Sequence, residues 1–436
     1  MISGQISRIV GLLTGCFAVT LVLAPPALAG KRDNSIKFAI ENVLDNVDPY
    51  FNTLRTGINF AYHVWDTLIY RDPTTGEYKG QLATEWKIID DKTMELELRR
   101  GIKFHNGAEF DADDVVYTLS YVTKPENRIV SQNRVAWIDR VEKLDKYKVR
   151  IVSKQPFPVA IDYVATYLVI YPHDYYAKVG PAGMNEKPIG TGPFRVVEHA
   201  RGKYIRMERN RDYFKDSPRP QPKIDKFEIR FIPDPQTQIA ELLSGGIDMI
   251  WNVAIDQAKQ LRAMPNFQVV PGDTLRVAFL YLNASEKTVV PALRDIRVRK
   301  AILHAIDRGS MLKSLVPESA TLLHVFCHPA QFGCTDEGAP RYAYDPTKSK
   351  QLLAEAGFPN GFEIDLYAHR DRTQIEAIIG YLRGVGIKAN LRFVQLPAML
   401  EAHRAGRTAM DHQSWGPSIF DVSATTRTIS AAFPMT

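Results

Sequence analysis

The densest set of groups capable of chemistry lies in "LRRGIKFHNGAEFDADDVVYTL", where His105, Asp111, Asp113 and Asp114 fall within ten residues. An imidazole beside carboxylates is the material of a metal site or an acid/base pair, provided that the side chains converge. The spacing favours another use. Asp111 stands where a helix cap belongs, Asp114 follows three positions later, and "VVYTLSYV" continues with apolar residues. A carboxylate at the N-cap accepts from free backbone N–H groups, and first-turn carboxylates sit well in the helix dipole. The cluster is therefore expected to be scaffold, with Gly107 turning the chain out of the preceding strand.

A second set is Cys327 and Cys334 with His324 and His328, in "HVFCHPAQFGC". The spacing matches no zinc pattern. Two nearby cysteines in a Pro/Gly-rich loop of an exported chain point to a disulfide instead. "GTGPF", Gly190 to Phe194, has the look of a phosphate-cradling loop but lacks the Lys-Ser/Thr that a P-loop requires. HExxH and GxSxG are both missing from the sequence, so nothing supports an enzyme, a metal site or a cofactor.

Export is read from the first residues. "MISGQISRIVGLLTGCFAVTLVLAPPALAGKRD" carries Arg8, an apolar run from Ile9 to Ala24, and small residues at Ala27 and Ala29. This is the anatomy of a secretory signal peptide over 1–29, and it places the protein in the periplasm. "LTGC" also fits a lipoprotein box ending at Cys16, although the apolar run continues past it. The net charge of +6 is spread along 436 residues without a basic tract, which argues against nucleic acid as a partner. At 45% hydrophobic and 24% charged, the composition is globular, and the length calls for two or three domains.

The elements that would position these residues alternate. "SIKFAIENV" predicts a strand and "TGINFAYHVWDTLIY" a helix. "EWKIIDDKTMELELRRGIKFHNG" predicts two strands about a turn at Asp90-Asp91, and "KYKVRIVSK" another strand. "KYIRMERNRDYF" and "KIDKFEIRFIPD" read as strands joined by the loop "KDSPRPQPK". "PQTQIAELLSGGIDMIW" reads as a helix stopped at Gly245-Gly246, and "IRVRKAILHAIDRGSMLKSL" as one amphipathic helix. "YDPTKSKQLLAEAGF" is a helix capped by Asp345, with Pro346 at its first position and Gly357 at its end. "FEIDLYAH", "RTQIEAIIGYLRGVG" and "IKANLRFVQL" then give strand, helix, strand, an α/β arrangement.

Taken in series, "GQLATEWKIIDDKTMELELRRGIKFHNGAEFDADDVVYTL", "PIGTGPFRVVEHARGKYIRMERNRDYF", "LLSGGIDMIW", "IRVRKAILHAIDR", "YDPTKSKQLLAEAGFPNGF" and "LRGVGIKANLRFV" resemble the family-5 extracellular solute-binding proteins. These are the peptide, dipeptide and nickel binders that feed ABC importers, and the likeness runs from Ile36 to Trp415. It implies a type II-like, two-lobed α/β binding protein with an extra subdomain and mixed sheets flanked by helices. By that likeness, 31–70 and 186–283 form a first lobe, 71–185 the subdomain inserted in it, and 284–436 the second lobe. The implied partners are a peptide or other small organic solute and an ABC permease, with the receptor a monomer.

Members of the family close both lobes over an extended ligand and pair its backbone with short protein strands, a mode that ignores side-chain identity. The matching stretches here are Thr53, Leu54 and Arg55, which are otherwise an ordinary loop, and Ser414, Trp415 and Gly416. Trp251 and Asn252 line the cleft or, for Trp251, fill a core. Peptide-binding members carry an Asp soon after the Trp-Gly-like pair to neutralise the ligand's ammonium group. In "SWGPSIFDVSA" that position is Ser418, and Asp421 either substitutes for it or caps the next segment. The departure leaves room for an amine bound differently, a modified peptide, a sugar-like compound or an opine. Nickel has no His pattern to support it. Family chains also continue for on the order of a hundred residues beyond this point, a domain-sized piece. By that measure, the chain is expected to lack a C-terminal return to the first lobe, and a truncated, non-functional paralogue is the alternative reading.

Overall fold

The computed structural model describes residues 33–423 other than Thr53, Asp273, Glu318, Pro417 and Ser418. The expected leader 1–29 with Cys16, and two of the expected site residues, Thr53 and Ser418, therefore lie outside the described residues.

In the first lobe, Ser35–Ile40 runs parallel to Lys226–Phe231 on one side and to Met249–Ile250 on the other. Tyr204–Arg209 and Phe194–Ala200 extend this sheet antiparallel. A second sheet of the same lobe has the order Ala83–Ile88, Thr93–Leu98, Lys148–Ser153, Ile138–Asp145, all antiparallel. Its strands alternate as a half-buried sheet must. Met94, Leu96 and Leu98 point inward, as do Val149 and Ile151. On the outer face Arg150 pairs with Glu95 at 2.6 Å, and Lys148 with Glu97 at 2.8 Å. Ala112–Thr123 lays Val115, Leu119 and Val122 on the inner face. The Asp cluster caps this helix. Asp111 accepts from Asp113 N–H at 2.8 Å, and Asp114 accepts from Asp111 N–H at 2.9 Å, which closes a capping box. One apolar core, including Phe60, Trp65, Leu96, Leu119, Ile205 and Ile229, is shared by both sheets.

The second lobe has its own core, with Val298, Ile302, Leu353, Leu366, Ile375 and Leu382. Full burial of such side chains stabilises by roughly 2 kcal/mol each. They lie between helices Ile296–Ala305, Pro346–Glu355 and Arg372–Gly384 and a sheet of order Val277–Leu282, Met410–Trp415, Glu363–Ala368, Lys388–Phe393.

Three local expectations change. The helix in "TGINFAYHVWDTLIY" is only Arg55–Val64, and Ile69–Arg71 is a strand. Trp65 is extended because its indole donates to Ile189 O at 2.9 Å and it is fully buried. The helix in "IRVRKAILHAIDRGSMLKSL" is two, Ile296–Ala305 and Arg308–Leu315. Asp307 starts the second by accepting from Ser310 N–H at 2.9 Å, a local bond that competes with continuing the first. Finally, Val277–Leu282 falls within the stretch assigned by resemblance to the first lobe, but it pairs with Met410–Trp415 in the second. A wholly apolar strand carries no mark of which sheet it will join.

Candidate functional site

Two loops fix the two ends of helix Arg55–Val64. "GTGPF" packs on the end of helix Arg55–Val64, where Gly192 N–H donates to Val64 O at 2.9 Å. A Cβ at Gly190 would lie 2.1 Å from Val64 O, so no other residue permits this approach. His105 seals the turn. Its Nδ1 accepts from Gly190 N–H at 3.3 Å, so Nε2 carries the proton donated to Gly192 O at 2.9 Å. Burial holds this imidazole below its usual pKa, consistent with the neutral tautomer. His105 is thus a structural clamp.

Asp48 holds the second loop. Its carboxylate is fully buried and accepts from Tyr171 and Tyr176 hydroxyls and, at 3.0 Å, from Tyr50 N–H. Burial outweighs these bonds and raises its pKa to about 6. Asn52 Oδ1 then accepts from Leu54 N–H at 2.8 Å, delivering Leu54 and Arg55, both exposed, to the start of the helix. That helix has no side-chain cap at Leu54 and no acidic residue in its first turn.

The facing edge belongs to Met410–Trp415. Asn283 N–H donates to Ala409 O at 2.9 Å, and the register runs from Leu282↔Met410 to Val277↔Trp415. Antiparallel pairs alternate, so Asp411, Gln413 and Trp415 bond to Val277–Leu282, whereas His412 and Ser414 turn their N–H and C=O to the other edge. There Glu363–Ala368 pairs only as far as Asp411. Beyond that point the edge at Ser414 has no strand beside it among the described residues.

Side chains reach this edge from both lobes. Arg276 Nη1 donates to Ser414 O at 3.3 Å and to Ser414 Oγ at 2.9 Å. Arg55 Nη2, from the first lobe, donates to Gly416 O at 3.3 Å. Arg370 lies close by and is paired with Asp371 at 3.0 Å. Burial and the charges of Arg370 and Arg55 lower the Arg276 pKa to about 10, which leaves it cationic at neutral pH. Glu41 is raised by partial burial, opposed by the charge of Arg370. His412 is buried, its Nδ1 has no hydrogen-bond partner among the described residues, and burial lowers its pKa to about 4.

Of the residues expected from sequence, Leu54, Arg55, Ser414, Trp415 and Gly416 come together here. Trp251 stacks edge-on against Phe38 at 5.3 Å, partly buried on the first core, and Asn252 beside it is exposed with φ 56°. Asp421 accepts from Ser423 N–H at 2.8 Å and bridges to Phe332 in the cystine loop. Cys327 and Cys334 are joined as a disulfide, with Cα atoms 5.8 Å apart. No group of three or more His, Cys, Asp or Glu side chains among the described residues is arranged to hold a metal ion. Sequence reasoning missed Arg276, Arg370 and His412. A usable signal existed for Arg370, which follows directly on the C-terminal end of Glu363–Ala368 and His369, because ligand clefts lie beyond the carboxyl ends of parallel strands.

Residues 77–435 match the family model described as bacterial extracellular solute-binding proteins, family 5 Middle. The chain is 25% identical over 361 residues to heme-binding protein A of Haemophilus influenzae, which is 76% of this chain and 64% of that protein. It is 26% identical over 382 residues to the glutathione-binding protein GsiB of Salmonella paratyphi A, covering 85% of this chain and 71% of the relative. Among solved structures it resembles the periplasmic binding protein DppA of Helicobacter pylori in complex with the peptide STSA. That likeness has a TM-score of 0.77 at 25% identity and covers 89% of this chain and 79% of the other. The chain thus spans about two thirds of the length of the curated relatives it matches.

Proposed function

From its membership of the bacterial extracellular solute-binding proteins, family 5, we propose that this chain is the substrate-binding component of an ABC importer. It acts in the periplasm, having been exported by its leader. It captures a peptide or peptide-like solute between its lobes and delivers it, as a monomer, to the permease. Closure is a population shift, with ligand favouring the closed form because only that form contacts it from both sides.

The observation that carries this reading is the free strand edge at Ser414, approached across the cleft by Arg55 of the other lobe. An unpaired edge of this kind recognises an extended backbone by hydrogen bonding, whatever its side chains. Relatives are named for heme and glutathione, and a solved neighbour holds a peptide. In this chain Ser414 supplies its backbone N–H with Gly416 beside it, Trp415 an apolar wall, and Thr53, Leu54 and Arg55 the opposite side. No chemistry is performed on the solute. Among the described residues no helix is long and apolar enough to cross a membrane.

A thermal melt of the purified chain with and without a mixed peptide digest tests this function. An upward shift is expected, because ligand stabilises only the native state, by about 2.7 kcal/mol at a hundredfold excess over Kd. Hydrolysis of the digest by the pure protein, or an unshifted melt across peptides and small organic solutes alike, would overturn it.

A further inference from the structure

The carbonyls at Ser414 and Gly416 are the acceptors that an extended ligand's N–H groups would need at this edge. Here each accepts from a guanidinium, Ser414 O from Arg276 and Gly416 O from Arg55. The two arginines belong to different lobes yet flank one residue. A Cβ on Gly416 would lie 2.7 Å from Arg55 Nη2 and 3.4 Å from Arg276 Cα. The edge is thereby converted from a row of acceptors into a row of cationic donors.

The charge is balanced only in part, by Asp371, whose carboxylate acts on Arg276 as well as on Arg370. Neither Arg55 nor Arg276 is ion-paired among the described residues, whereas Arg370 is offset by Asp371. A guanidinium has five N–H donors in a planar fork, and the contacts above engage one amino group of each. The rest remain for a ligand, and the fork suits a carboxylate through two parallel bonds. Arg55 also stands at the first position of a helix without acidic first-turn residues, where its charge adds to the positive end of the dipole. An anion in the cleft relieves that repulsion. His412, on the same strand, is buried with an Nδ1 that has no hydrogen-bond partner among the described residues, and Asp371 is the carboxylate that acts on it.

We propose that the cleft takes the carboxylate end of its solute against the Ser414–Gly416 edge, with Arg276 and Arg55 as ion-pair partners. Its substrate class is then an anionic, peptide-like solute rather than one anchored through an amine; this rests on the solute-receptor reading above.

The test uses the purified full chain and three defined probe sets in titration calorimetry. The first is a mixture of N-acetylated di- to pentapeptide acids, with a carboxylate and no amine. The second is the same peptides as C-terminal amides with a free amine. The third is a set of sugar acids and small dicarboxylates. The expected result is binding of the first set at least tenfold tighter than the second, with a tenfold or greater loss in both Arg276→Gln and Arg55→Gln. Arg55 is exposed, so its variant reports on the site even if Arg276→Gln fails to fold. Binding confined to the third set also supports the anionic class, while overturning the peptide-like part of the function. Amides bound as well as acids would overturn the proposal and leave the receptor function standing. Silence from all three sets in a folded protein would overturn both.

Discussion

Arg55 Nη2 donates to Gly416 O at 3.3 Å, joining the first turn of a helix in one lobe to the free end of a strand in the other. The donor is exposed and the partner is a neutral carbonyl, so the bond adds little to global stability. Its effect falls on the balance between open and closed lobes. Arg55→Gln should lower the unfolding free energy by no more than about 1 kcal/mol, yet raise the ligand-free radius of gyration in solution scattering. An unchanged radius would show that this contact does not hold the lobes together.

A buried network carries far more energy. Asp66 is almost fully buried and accepts from Arg219 at 3.0 Å, Gln81 at 2.6 Å, Tyr213 hydroxyl at 3.0 Å and Thr191 at 2.9 Å. Arg219→Met leaves its charge without a cation, and such changes cost about 3–5 kcal/mol. Urea denaturation should show this loss, and Asp66→Asn in the same chain should recover part of it. If the double variant is as unstable as the sum of the two single ones, the pair is not coupled.

Asp48 gives the protein a pH signature. Its pKa is raised from 3.8 to about 6, chiefly by burial, so the folded state holds a proton that the unfolded state has released. Its contribution to stability is therefore greatest below the unfolded value and falls by on the order of 3 kcal/mol as pH rises through that window. His412 works oppositely. Lowered from 6.5 to about 4 by burial, it costs stability as pH falls through the same range. Asp48→Asn keeps an oxygen acceptor for Tyr171 and removes the charge. Its stability relative to the parent should thus rise between pH 4 and pH 7 in urea melts at each pH, and a difference flat with pH would refute the assignment.

The cystine loop bears on the segment that follows the cleft strand. Phe332 N–H donates to Phe420 O at 2.6 Å, and Val422 N–H donates to Phe332 O at 3.1 Å. Opening the Cys327–Cys334 loop, whose cysteines are 7 apart in sequence, forfeits about 2–3 kcal/mol of loop-closure entropy. In Cys334→Ser, amide exchange at Ile419 to Val422 should quicken more than in the first-lobe strands. Uniform exchange across the chain would mean that the loop does not secure this segment.

What the sequence alone determined is local. The Asp111 and Asp114 capping box, the Asp345-Pro346 helix start and the strand pair about Asp90-Asp91 rest on contacts between near neighbours, and short patterns encode such contacts. The resemblance added the order of the elements and brought Leu54, Arg55 and Ser414 to Gly416 forward as one site. Tertiary structure decided the rest. It moved Val277–Leu282 into the second lobe and set the Asp421 carboxylate against the Ser423 N–H. It also brought Arg276 and Arg55, 221 residues apart in number (276 − 55), to the same short stretch of strand. A strand's partner and a cleft's charge balance are sums over residues distant in the chain. No local pattern carries them, because the energy that selects them exists only once both lobes have folded.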